Sequence, residues 1–176
     1  MTRISKNTYM ARREQLKKKI GTGLLLFLGN DEVGMNYADN TYSFRQDSTF
    51  LYFFGLDFAG LAAIIDIDEN RTIIFGNELT IDDIVWTGTQ PTLKEKCEMV
   101  GVTESMPLNQ LKSYLDKGKS KGQTVHFLPP YRGDHRIWLW ELLGIELAAQ
   151  GERTSIPFIQ AVVDMRNHKD EEELKL

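Results

Sequence analysis

One cysteine, three histidines and five prolines in 176 residues put several kinds of protein out of reach. With Cys97 alone, no internal disulfide can form and no zinc site can be built on thiolates; this fits a reducing compartment and makes Cys97 a small core residue. His126, His135 and His168 share no i, i+3 or i+4 spacing, so no two of them present ligands from one helix face. Long apolar runs are missing as well. The longest, such as Leu24 to Leu28, fall far short of the ~20 residues that span a bilayer, and residues 1–10 hold no apolar core of signal-peptide length. The expected compartment is the cytoplasm, with no membrane partner. Charge of one sign is also scarce: the net charge is −4 and the one basic run, Lys17-Lys18-Lys19, is short, so nucleic acid is not an expected partner.

Catalytic signatures are absent too. There is no Gly-x-Ser-x-Gly elbow, no His-Glu-x-x-His and no phosphate loop. Gly21 and Gly23 precede a strand, whereas a dinucleotide loop must follow one so that a helix N-terminus faces the pyrophosphate. Asp66 to Asn70 opens like a calcium loop, but Arg71 stands where Gly is needed and Asn77 where Glu closes the site. Asp82 and Asp83, adjacent on a helix, point about 100° apart and cannot share a substrate. Taken bare, the residues fit a binding or scaffold domain better than an enzyme.

What is present is a fold. At 41% hydrophobic and 26% charged, the chain fits one globular domain, long enough to bury about 70% of the surface its unfolded form exposes. Ser43 to Gly55 packs five aromatics beside an Arg-Gln-Asp-Ser cluster. It reads as a short helix, capped by Asp47 or Ser48 and ended by Gly55, with Phe50, Phe53 and Phe54 on one face. Ser5 or Asn7 caps a first helix to about Lys19, with Tyr9, Leu16 and Ile20 inward and Arg12, Arg13, Lys17 and Lys18 outward. Leu24 to Leu28 reads as a strand buried on both faces; Leu61 to Ile67 and Arg71 to Phe75 form a hairpin about Asp68-Glu69-Asn70. Helices are expected over Thr80 to Val85, Pro91 to Val100 and Leu108 to Leu115, then a strand Val125 to Leu128. Asp134 is expected to cap the longest helix, to about Gln150. The fold class is therefore α/β, a mixed sheet with helices on both faces. Asp170 followed by three glutamates opens a further helix that stops within two turns, so the chain is expected to be cut from a longer protein.

Ala38 to Leu56 resembles the Tyr-Arg-Gln-x-Ser-x-Phe-x-Tyr-x-x-Gly signature of the N-terminal domain of Xaa-Pro aminopeptidases (aminopeptidase P), within the creatinase and prolidase N-terminal domain superfamily. Ile84-Val85-Trp86-Thr87-Gly88 resembles the family's Ile-Trp-x-Gly turn. Met165 to Leu174 resembles its Met-Arg-x-x-Lys-x-x-Glu-Glu-Ile linker, with Glu171 where the family usually has Pro. The resemblance implies a non-catalytic N-terminal domain over residues 1–165 and, over 166–176, the start of a linker into a catalytic domain that lies outside this chain. That domain would hold two divalent metal ions, usually manganese, whose bridging hydroxide attacks the Xaa-Pro bond. No cofactor or catalytic residue is implied within these residues, and the chain alone is expected to be inactive. Its implied partners are its own catalytic domain, a homodimer or higher homo-oligomer, and a peptide with proline second. By motif position, Asp39, Trp86 and Arg153 are the implied substrate-binding residues. Trp86 would offer a flat apolar wall, and Asp39 and Arg153 charge-assisted hydrogen bonds. Without the resemblance, Trp86 reads equally as core filler, Asp39 as a turn residue and Arg153 as a solvated helix-end charge. A prolidase N-terminal domain and a free-standing interaction module are the alternatives.

Overall fold

The computed structural model describes residues 4–81, 85–86 and 88–175. Five strands form one sheet in the order β4-β3-β2-β1-β5: β1 (Leu24–Leu28), β2 (Ala62–Asp66), β3 (Arg71–Phe75), β4 (Glu104–Met106) and β5 (Val125–Phe127). β1, β3, β4 and β5 run the same way and β2 runs against them, so the sheet is mixed. Pleating sends alternate side chains to opposite faces, and both faces are covered. Leu25, Phe27, Ala63 and Ile65 pack under α1 (Lys6–Ile20), α2 (Ser48–Phe54), α3 (Leu93–Met99) and α6 (Ile156–Asn167). Leu24, Leu26, Ala62 and Ile64 pack under α4 (Leu111–Ser120) and α5 (Gly133–Leu143).

α2 is the centre of the first face. The Asp47 carboxylate accepts from the Thr49 and Phe50 amides at 2.9 and 2.8 Å, which starts the helix. Gly55 ends it at φ 64°, where the ring of Tyr9 lies so close that a Cβ would collide with it. Phe50, Phe53 and Phe54 are fully buried, each worth about 1.5–3 kcal/mol. The hairpin turns at Asn70, the one described non-glycine residue with positive φ, at 53°.

Several expectations are corrected. Arg12 and Arg13 point inward, buried to 6% and 3% exposure, because their guanidinium groups satisfy backbone carbonyls that the ends of neighbouring elements leave unpaired. The helix expected from Asp134 to Gln150 stops at Leu143: Gly144 takes a left-handed φ of 70° and donates its N–H to the Trp140 carbonyl. Arg132, not Asp134, precedes its first turn, and α1 is the longest described helix. After it comes the unanticipated α6, capped by Ser155 with Pro157 in its first turn. Past Asp170 the described residues form only a 3-10 turn, Glu173–Lys175. The helix expected over Thr80 to Val85, with the Asp82-Asp83 pair, lies partly outside the described residues, as does Thr87.

Candidate interface and its supporting residues

The chain's chemistry-bearing loops leave from one rim, the carboxyl ends of β1, β3 and β5, where open α/β sheets place their ligand crevices. The loop after β1 is rooted by Gln46, which is 1% exposed. Its Oε1 accepts from the amides of Asn30 (2.6 Å) and Asp47 (2.9 Å), and its Nε2 donates to the Phe58 carbonyl (2.8 Å). Asn30 donates to the Arg45 carbonyl, and His135 Nε2 donates to the Gly29 carbonyl at 2.9 Å. The Arg-Gln-Asp-Ser stretch thus holds the loop's base, with Gln46 and Asp47 Oδ1 bonded to backbone groups.

Above that base the rim is apolar and open. Val33, Met35, Tyr37 and Tyr42 are exposed on the loop after β1; Leu79, Ile81, Val85 and Trp86 on the segment after β3; Tyr131 after β5. Trp86 is 88% exposed, which removes the core-filler reading within this chain. Asp39 lies in an exposed turn of the first loop. Asp39 and Trp86 thus lie on loops that leave the same end of the sheet, from strands separated by β2. Arg153 stands apart, exposed in the turn before α6, two residues ahead of Ser155, whose amide donates to the Phe127 carbonyl at the open edge of β5. Among the described residues no hydrogen bond or ion pair joins the three.

Two residues that tie elements together went unread in the sequence. Arg13 Nη1 donates to the Phe53 carbonyl at 2.8 Å and its Nη2 to the Val100 and Gly101 carbonyls at 2.8 and 3.0 Å, tying α2 to the end of α3; burial lowers its pKa to about 10. Arg12 Nη1 donates to the Tyr52 carbonyl, and its guanidinium lies 3.9 Å over the Tyr52 ring. Positions 9, 12, 13 and 16 follow the i, i+3, i+4, i+7 pattern of one helix face, which was the available signal.

Elsewhere the reactive groups serve the fold. Burial pushes the Cys97 thiol up to about 12, which keeps it protonated and a poor nucleophile. Ser155 Oγ lies 2.7 Å from His126 Nδ1, yet the same hydroxyl accepts from the Phe158 amide as the α6 cap. Among the described residues no three His, Cys, Asp or Glu side chains converge as metal ligands.

The sequence model of the family described as "Aminopeptidase P, N-terminal domain" matches residues 9–127. The probable Xaa-Pro aminopeptidase of Chaetomium globosum is 30% identical over 115 residues, covering 61% of this chain and 18% of its own length. The mitochondrial intermediate cleaving peptidase 55 of Arabidopsis thaliana is 28% identical over 107 residues, covering 61% of this chain and 22% of its own length. The solved aminopeptidase PepP of Pseudomonas aeruginosa superposes on 99% of this chain and 41% of its own at a TM-score of 0.79 and 18% identity, which is a shared fold. The chain spans about a fifth of the length of these curated relatives.

Proposed function

Because the chain belongs to the aminopeptidase P N-terminal domain family, we propose that it is the non-catalytic domain of a metal-dependent Xaa-Pro aminopeptidase, serving oligomer assembly and the shaping of a substrate pocket. The observation that carries this reading is the rim. Nine exposed apolar side chains, from Val33 to Tyr131, ride on the three loops that leave the carboxyl ends of β1, β3 and β5, and exposed apolar surface of that kind marks interfaces. Asp39 and Trp86 on that rim, and Arg153 beside it, are the side chains offered to a peptide with proline second. Two divalent metal ions, manganese by preference, would be held by the catalytic domain of such an enzyme; among the described residues no ligand set for them is found. The domain's share of the work is then to orient the peptide and exclude water rather than to cut.

Two measurements test the reading. The purified 176-residue chain with added manganese is expected to show no Xaa-Pro peptide hydrolysis, and turnover that follows the protein through purification would overturn the non-catalytic assignment. In the longer protein, Tyr37→Asp with Val85→Asp is expected to lower the oligomeric mass seen by sedimentation. Unchanged mass together with unchanged peptide kinetics would remove the rim from the argument.

A further inference from the structure

The residues that follow α6 are held by charge rather than by core packing. Arg12, buried in the middle of α1, donates from Nη2 to Asp170 Oδ2 at 2.6 Å, and its Nη2 lies 3.1 Å from Glu173 Oε2. Around that pair, the Ser5 amide donates to Glu172 Oε2 at 2.7 Å and the Glu173 amide to Asp170 Oδ1 at 2.8 Å. Tyr52, under the Arg12 guanidinium, donates its hydroxyl to the Met165 carbonyl at 3.0 Å. Burial raises the Asp170 carboxyl's affinity for a proton, but the bonds from Arg12 and the Glu173 amide outweigh it and leave the pKa below its usual value. Met165 is the last residue of either core cluster, and beyond it the one large apolar side chain among the described residues of the segment, Leu174, is 75% exposed. A groove of about 730 Å³ is lined by residues of α1, α6 and the segment, Arg12, Gln15, Tyr52 and His168 among them, and Arg12 Nε has no hydrogen-bond partner among the described residues.

We propose that Arg12 is a positioning residue: with Asp170 and Glu173 it forms a separable clasp that fixes residues 168–175 against α1 and opens while the sheet stays folded. An element held by a few polar bonds and almost no apolar burial opens at lower free energy than the core to which it is tied. In the longer protein, a step that rests on the reading above, the closed clasp sets the direction in which the chain leaves this domain, and so the placement of the catalytic domain against the rim.

Hydrogen exchange on the 176-residue chain tests the clasp directly. In Arg12→Met and in Asp170→Asn, the amides of Ser5, Glu173 and Leu174 are expected to exchange about tenfold faster, with β1 and β2 unchanged. Should Arg12→Met fail to fold, Asp170→Asn decides alone, since Asp170 sits outside the core at 37% side-chain exposure. Unaltered exchange in the segment, or loss of protection in segment and sheet together in Asp170→Asn, overturns the proposal. In the longer protein, Asp170→Asn is expected to lower kcat for an Xaa-Pro peptide about threefold at unchanged melting temperature, and an unchanged kcat removes the positioning role. If the longer protein hydrolyses no such peptide in any form, the peptidase reading fails while the exchange result still stands.

Discussion

Two stretches of this chain are rich in large apolar side chains, and they do opposite things. On α2, Phe53 and Phe54 lie 5.4 and 5.1 Å from the ring of Phe27, which in turn meets Phe158 at 5.2 Å, and these rings are closed off from water. On the rim, Tyr37, Tyr42, Ile81, Val85 and Trp86 are exposed, Trp86 most of all. Composition does not separate the two. What separates them is punctuation: α2 has a carboxylate cap, a glycine stop and helical spacing between, so its apolar face is aimed at the sheet, whereas the rim residues ride on loops that leave the sheet's carboxyl ends. Stability is concentrated in the first stretch, and the second leaves its apolar surface in water.

The largest effect that would break this contrast is on the buried side. Phe53→Ala is expected to cost about 3–5 kcal/mol, read as a fall in the denaturant midpoint at unchanged slope. A loss below about 1 kcal/mol would mean that α2 is peripheral rather than central. A smaller effect sharpens the contrast between two aspartates eight residues apart: Asp47→Ala removes an acceptor of two amide bonds and is expected to cost about 1 kcal/mol, while Asp39→Ala, in an exposed turn, should stay within about 0.5 kcal/mol. Equal costs for Asp39 and Asp47 would show that the loop is anchored through Asp39 as well.

The sequence made α2 legible because each boundary had a mechanism of its own, a carboxylate before the first free amides and a glycine where left-handed backbone is needed. The sheet was legible for the same kind of reason: Leu24 to Leu28 is apolar at every position, which only a strand covered on both faces requires. Arg12 and Arg13 were misplaced because charge argued for water more strongly than spacing argued for the core, and the carbonyls that draw them inward belong to residues 40 to 88 positions away. Reading past Gly144 joined a helix to the turn after it and hid the Ser155-Ile156-Pro157 start of α6. Of the candidate site, the resemblance supplied three residues but not their arrangement. That Asp39 and Trp86 share a rim follows from strand order, a long-range property that local pattern does not carry, and the same holds for Arg153 standing beside β5.

The smallest expected change in stability carries the sharpest test of the contrast. Trp86→Ala removes the most exposed large side chain named above, with no packing partner in either core cluster, so this chain's melting temperature should move by no more than about 1 °C, as surface substitutions do. If the rim is where a peptide or a second subunit is met, the same change in the longer protein should raise KM for Xaa-Pro peptides severalfold, a loss of about 1 kcal/mol of binding, with kcat little altered. The two readouts fail separately. A melting temperature lowered by several degrees would show that Trp86 packs within the domain, which would return it to the class of α2's aromatics. An unchanged KM at unchanged stability would leave the tryptophan exposed without a peptide to serve, and would confine the rim's use to contact between subunits.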